Sequence, residues 1–291
     1  MNTKHWFHPR SWPWCWISLS ALLAARSPWS AVAQQSAREA DQDRGGTTSP
    51  AWTIPEPFKK DVFTFVRIKY SVSGAHGYGH SPSLRWSIDF PDSDLNFSFR
   101  LQQATSIRVN PDGKVLELTD KELFNYPFIY IVEPGRLTFT EEEAGILRKY
   151  LLNGGFLMCD DFWGDREWAS FAEELQRVFP DRKPVDLPLS HAIFHAVFDL
   201  KEKPQVPGID WGIRSEFTGI TYEQNHGAGC EDVHYRAILD DKDRIMVMIC
   251  HNTDLGDGWE REGDNEYYFK EFSEPKAYPL GINIVFYAMT H

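Results

Sequence analysis

Three short runs in this chain are apolar at every position: Phe128-Ile129-Tyr130-Ile131-Val132, Phe156-Leu157-Met158-Cys159 and Ile245-Met246-Val247-Met248-Ile249. A strand with one face in water alternates apolar and polar residues, so a run with no polar position needs cover on both faces. Parallel sheets sandwiched by helices supply that cover. The segment joining the first two runs agrees. Thr140 and Glu143 have the spacing of a capping box, Ala144, Leu147, Leu151 and Leu152 line one stripe, and Gly154-Gly155 ends the helix. Past Cys159 the chain reaches Asp160-Asp161 and then Asp165, placed to cap a second helix carrying Phe171, Leu175 and Val178. Strand, helix, strand, helix with short turns predicts an α/β fold with a mostly parallel sheet.

On the amino-terminal side, Val62 to Tyr70 reads as the first strand and the glycine-rich stretch Ser73 to His80 as a loop. Asp92 or Ser93 is placed to cap a helix reaching about Gln103. Residues 105–109 then read as a strand, Asn110-Pro111-Asp112-Gly113 as a turn, and residues 115–118 as a strand pairing back across it. Beyond Pro180 the pattern loosens, with strands expected over 213–222, 234–239 and 244–250 and a helix over 281–289.

The first ten residues carry Lys4 and Arg10 and no acid, an apolar stretch runs from Trp12 to Ala25, and Ala31-Val32-Ala33 has the small-x-small form of a cleavage site. This is the order of an export signal, and the stretch is shorter than the roughly 20 residues that span a bilayer. Residues 1–33 are therefore expected to be a cleaved signal peptide and residues 34–60, polar and rich in Gly, Thr, Ser and Pro, a flexible linker. Residues 61–291 are expected to form one α/β domain, periplasmic or secreted. Cleavage removes Lys4, Arg10 and Arg26 but no acid, so the mature chain is more acidic than the net −12 of the whole. That balance excludes nucleic acid and anionic lipid as partners. No other apolar stretch reaches spanning length. Cys15 leaves with the signal, and Cys159, Cys230 and Cys250 contain no CxxC pair; core packing is expected of Cys159 and Cys250.

Several segments taken together resemble one bacterial family, the domain of unknown function 4159. They are Trp86-Ser87-Ile88-Asp89-Phe90-Pro91 with Asp94, Tyr126-Pro127-Phe128-Ile129-Tyr130, Gly154-Gly155-Phe156-Leu157-Met158-Cys159-Asp160-Asp161, Asp254-Leu255-Gly256 and Gly281-Ile282-Asn283-Ile284. The resemblance covers nearly all of Asp61 to His291. It implies a flavodoxin-like three-layer sandwich, similar to class I glutamine amidotransferase-like domains but divergent in its second half, and work at the bacterial envelope. Amidotransferases of that class hold their nucleophile on a Gly-x-Cys-x-Gly elbow. None exists here: Cys159 lies inside a strand, and Gly229-Cys230-Glu231 lacks both a leading strand and the second glycine.

Ligands of open α/β sheets bind at the carboxyl ends of the strands, which singles out Asp160 and Asp161. They can hold a hard cation, take sugar hydroxyls or act as a general base; the competing role is bonding turn amides or capping a helix. His76 and Tyr78 lie on the loop after the first strand, either a recognition loop or plain surface. Trp86 with Asp89 and Asp94 has the make-up of a sugar-binding surface, or of an aromatic plug beside a helix cap. His191 and His195, four apart after Ser190, would share a helix face at a spacing zinc sites use, without an HExxH context. His191 beside Asp161 would make an acid/base pair. Asp254 and Asp257, in the glycine-containing stretch His251 to Gly258, are reminiscent of a calcium loop but lack the acid pattern of an EF-hand. No cofactor is implied. Two functions are expected: an exported, non-catalytic binding or assembly module whose partner is an envelope protein or glycan, or a hydrolase of a carbohydrate or envelope polymer working through Asp160, Asp161 and His191.

Overall fold

A computed structural model describes Met1 and residues 36–45, 49–59, 61–72 and 82–291. The export signal beyond Met1, Cys15, and the loop bearing His76 and Tyr78 lie outside the described residues. Among those described, seven strands form one sheet in the order β2-β1-β3-β4-β7-β6-β5. β1 (Val66–Lys69), β2 (Lys114–Glu117), β3 (Phe128–Val132), β4 (Phe156–Asp160) and β7 (Ile245–His251) are parallel. β6 (His234–Leu239) and the two-residue β5 (Val185–Asp186) add an antiparallel edge. The parallel part has the flavodoxin-like order, reversing direction between β1 and β3. The antiparallel edge is the divergent half.

The longer α-helices among the described residues are α1 (Ala37–Asp43), α2 (Asp92–Ala104), α3 (Glu141–Leu152), α4 (Gly164–Val178), α5 (Ile209–Thr218), α6 (Leu255–Glu260) and α7 (Tyr278–Thr290), the last continuing a single α-turn at Glu266–Tyr268 and a π-helix over Phe269–Ala277. The wholly apolar strands feed two cores at once. Phe128, Tyr130, Val132, Met158 and Met248 enter a core under α2, α6 and α7, while Ile129, Ile131, Leu157, Cys159 and Val247 enter one under α3 and α4. This is the three-layer sandwich. The capping box of α3 forms as expected, with the Glu143 amide donating to the Thr140 hydroxyl at 3.1 Å and the Thr140 amide to the Glu143 carboxylate at 2.8 Å. Cys159, Cys230 and Cys250 are all buried free thiols. No helix among the described residues is long and apolar enough to cross a membrane.

Four expectations need correction. The described part of residues 34–60 is not a loose linker. Ser36 and Glu39 form a capping box on α1, the Arg38 guanidinium donates to the carbonyls of Ser49 and Pro111, and the Trp52 indole donates to the Val109 carbonyl. Polar anchors hold it, so no apolar periodicity announces it. Residues 105–109 form no strand beyond a single bridge of Val109 to Phe63, and β2 pairs in parallel with β1, Val66 opposite Lys114, rather than folding back as a hairpin. Residues 213–222 fall largely in α5, whose buried face is only Gly212 and Ser215, leaving no apolar stripe to read. Finally, the residues expected to cap α2 and α4 do not: the caps are Pro91 and Trp163, and neither makes a side-chain capping bond.

Ser93 and Asp94 serve a different purpose. Arg67 of β1 is fully buried, and all five of its donor hydrogens can be met inside the fold. Its Nη2 lies 2.5 Å from Asp94 Oδ1 and 2.9 Å from Ser93 Oγ, Nε reaches both Asp94 oxygens, and Nη1 donates to the carbonyls of Trp86 (3.1 Å) and Ile88 (3.0 Å). The guanidinium also sits 5.0 Å from the centre of the Tyr130 ring. Removing one partner of a buried pair leaves an uncompensated charge. Arg67→Met is therefore expected to lower the unfolding free energy by about 3–5 kcal/mol in a urea titration, with part of the loss recovered in Arg67→Met/Asp94→Leu. Equal losses in both would show that the bonds to Trp86 and Ile88, not the ion pair, carry the effect.

Candidate functional site

The strand order reverses between β1 and β3, and the carboxyl edge of the sheet there is where folds of this kind form a ligand crevice. Five non-glycine residues among those described have left-handed backbones, and four of them stand at this edge: Asp89 (φ 61°), Glu133 (φ 47°) after β3, Asp161 (φ 57°) after β4 and Asn252 (φ 61°) after β7. Each such residue costs on the order of 1 kcal/mol. Asn252 ties two loops together, accepting from the Gly164 amide at 2.8 Å and donating to the carbonyls of Gly229 and Asp232.

Asp160 ends β4 on the face of Met158. Its Oδ2 accepts from the amides of Leu255 (2.9 Å) and Gly256 (3.0 Å), at the amino end of α6, and from the Tyr130 hydroxyl (3.3 Å), while Oδ1 is buried without a partner. Burial pushes its pKa up to about 7 against the pull of those amides. Asp161 Oδ1 accepts from the Trp163 indole at 3.3 Å. Asp254 caps α6 by accepting from the Asp257 amide at 2.7 Å, and Asp257 accepts from the Ile209 amide (2.5 Å) and from Arg261 Nε (3.2 Å). Asp89 Oδ2 is buried with no hydrogen-bond partner. It lies so close to α6 that a Cβ on residue 256 would meet it at 2.3 Å, which explains the glycine there.

These side chains converge. One oxygen from each of Asp89, Asp161 and Asp254 lies within 4.8 Å of the others, and the same holds for Asp89, Asp257 and Glu260. On the same helix as Asp257 and Glu260, the fully buried Trp259 ring packs 4.5 Å from Phe97 and 6.0 Å from Tyr130, an aromatic floor to the site. Burial is accordingly the first cause of the raised pKa values, followed by like charge: Asp257 acting on Asp89, Glu133 on Asp161, and Asp161 on Asp254. At the rim, Glu133 pairs with Arg85 at 2.8 Å and is pushed up to about 7 by burial, and His226 Nε2 lies 2.9 Å from Glu223, which raises its pKa.

The structure thus brings together Asp89, Asp160, Asp161, Asp254 and Asp257, and leaves other candidates elsewhere. His191 is not on a helix face with His195. It caps the 3-10 turn Ala192–Phe194 and packs 5.7 Å from the Tyr287 ring, which meets Phe156 at the opposite end of β4. The length of that strand, about 13 Å at 3.3 Å per residue, separates it from Asp161, so the acid/base pair of Asp161 with His191 does not form. His195 is held by Asp199 and the Leu189 carbonyl. The Trp86 ring is 3% exposed and packs on Phe90, so it offers no face to a sugar. Residues 251–258 do not wrap an ion as a loop, because α6 begins at Leu255. His76 and Tyr78 fall outside the described residues. Sequence reasoning missed Arg67, Glu133, Glu223 and His226. Glu133 had a signal, since it follows a wholly apolar strand as Asp160 does; the other three had none.

A carboxyl whose pKa is raised by folding lends stability that is full below its unfolded pKa and lost as pH climbs through the folded value. For Asp160 that window runs from about pH 4 to about 7. In the presence of a chelator, Asp160→Asn is expected to match the parent near pH 4 and to be more stable by on the order of 1–3 kcal/mol at pH 8, read as unfolding midpoints. The same difference at both pH values would mean that Asp160 ionises normally in the fold.

No curated protein matches this chain. Residues 64–289 match the model of a family described as a domain of unknown function (DUF4159). That match takes in every strand of the sheet and each acid of the crevice, and the chain belongs to the DUF4159 family.

Proposed function

We propose that this chain is an exported binding module of the bacterial envelope whose ligand docks in the carboxylate crevice at the carboxyl edge of the sheet. One observation carries the reading. Five carboxylates from three segments remote in sequence, Asp89, Asp160 with Asp161, and Asp254 with Asp257, meet beside the aromatic core, and two of their buried oxygens have no hydrogen-bond partner. A buried acceptor left unpaired costs about 1–3 kcal/mol, which a ligand bringing donors or positive charge recovers. A hydroxyl-rich envelope glycan has donors of that kind. The thiols speak for binding rather than covalent chemistry, since burial pushes Cys159 and Cys250 well above the ordinary thiol range and Cys230 up to about 11. The basic start, apolar run and Ala31-Val32-Ala33 site support export.

The hydrolase reading keeps one observation in its favour. Glu133, at about 7, has the pKa of a general acid and shares the rim with His226.

Amino-terminal sequencing of the exported fraction is expected to read from Gln34; an exported chain still beginning at Met1 overturns cleavage. The mature chain is expected to co-sediment with purified envelope polysaccharide, and Asp161→Asn/Asp254→Asn to weaken that retention by at least about tenfold without lowering the unfolding midpoint. Unchanged retention in the folded double variant removes the crevice from the proposal. Cleavage of the polysaccharide that Glu133→Gln abolishes favours the hydrolase.

A further inference from the structure

We propose that Asp89, Asp161 and Asp254 form a site for a hard divalent cation of the calcium or magnesium class, through which the crevice takes its ligand. The inference rests on the reading of this crevice as the binding site. The donor set is the first argument. Three loops each bring one carboxylate oxygen within 4.8 Å of the other two, with no histidine or cysteine among them. An all-oxygen set suits calcium, magnesium or manganese and not zinc or copper.

Burial is the second argument. Asp89 is 9% exposed, and its Oδ2 has no hydrogen-bond partner. Asp161 has a single bond to the Trp163 indole and Asp254 a single capping bond, both on Oδ1. Three carboxylates crowded over an aromatic floor are strongly unfavourable unless a cation or a proton joins them.

The neighbouring acids supply a control within the same fold. Asp89, Asp257 and Glu260 form a second such group, and it already contains a cation: Arg261 Nε lies 3.2 Å from Asp257 Oδ1 and 2.7 Å from Glu260 Oε2. Among the described residues no lysine or arginine forms an ion pair with Asp89, Asp161 or Asp254, and buried Arg67, which attracts Asp89 at longer range, gives its hydrogen bonds to Asp94, Ser93 and backbone carbonyls. Asp89 is shared by the two groups, and the fold pairs the remaining acids of one, Asp257 and Glu260, with its own arginine but gives Asp161 and Asp254 no such partner. Three protein oxygens fill under half of a shell of roughly six to eight, so water or ligand hydroxyls complete it.

The indole of Trp163, bonded to Asp161 at 3.3 Å, makes the site observable. The mature chain is stripped with a chelator and titrated with calcium, magnesium and, as a luminescent calcium substitute, terbium. The melting temperature is expected to rise by about 5 °C or more at saturation with calcium or magnesium. Tryptophan excitation is expected to give terbium emission that excess calcium abolishes. Trp163→Phe should lose most of the emission but keep the thermal shift. Asp161→Asn and Asp254→Asn should each weaken ion binding by at least about tenfold, since asparagine tolerates a left-handed backbone and caps a helix. Absence of any thermal shift and of sensitised terbium emission in the parent chain overturns the site, as do equal shifts in both asparagine variants. Polysaccharide retention separates the two readings. Retention at full strength with chelator present sinks the cation and leaves the binding module standing. Ion binding with no retention leaves the cation site and sinks the polysaccharide.

Discussion

Arg67 lies in the second strand from one edge of the sheet with no exposed surface, and only because Asp94 and the carbonyls of Trp86 and Ile88 meet it there. A buried pair of this kind adds little to stability compared with apolar side chains of the same volume. What it does is fix geometry. One guanidinium joins β1 to the first turn of α2 and to the segment just before Asp89, so the backbone carrying Asp89 has one place to lie. Without that constraint Asp89 would have no reason to hold a left-handed backbone over the aromatic floor, and the crevice would lose one wall.

The crevice is built from arrangements that a chain selected for stability alone would avoid. Four residues with side chains sit in left-handed backbone, three just after strands and Asp89 in the turn before α2, and acids crowd where burial and mutual repulsion raise their pKa values. The two cores make this tolerable. β3, and β4 and β7 up to their last residues, are apolar on both faces, which is a large hydrophobic contribution, and most of the unfavourable terms gather at one edge. Arg261 offsets part of this charge from within the fold, its Nε lying 3.2 Å from Asp257 and 2.7 Å from Glu260.

How much of this was readable varied with the range of the interactions involved. The apolar runs, the Thr140-Glu143 box and Asp160-Asp161 at a strand end were visible because burial on two faces, a helix start and a strand end each leave a local pattern. α5 was not, because its buried face is a glycine and a serine packed near Tyr267 and Tyr268. The described part of residues 34–60 was misread for a similar reason: buried Arg38 and the Trp52 indole hold it through hydrogen bonds to backbone carbonyls, two of them far along the chain, and such bonds need no periodicity.

From the sequence alone the fold class followed, since strands without a polar position must be covered on both faces and only helices joined by short turns could cover them. The position of Asp160 and Asp161 at the carboxyl edge followed from the same reasoning. Which residues would join them did not. His191 was expected to work with Asp161, and Asp254 was a candidate only for a metal, yet the strand direction puts His191 at the amino end of the sheet and Asp254 at the carboxyl end. Asp89 and Asp254 are brought together only by strand order, with α6 passing so close that residue 256 must be glycine. Local patterns record burial and chain direction; the meeting of remote carboxylates depends on the packing of the whole sheet, and tertiary structure alone decided it.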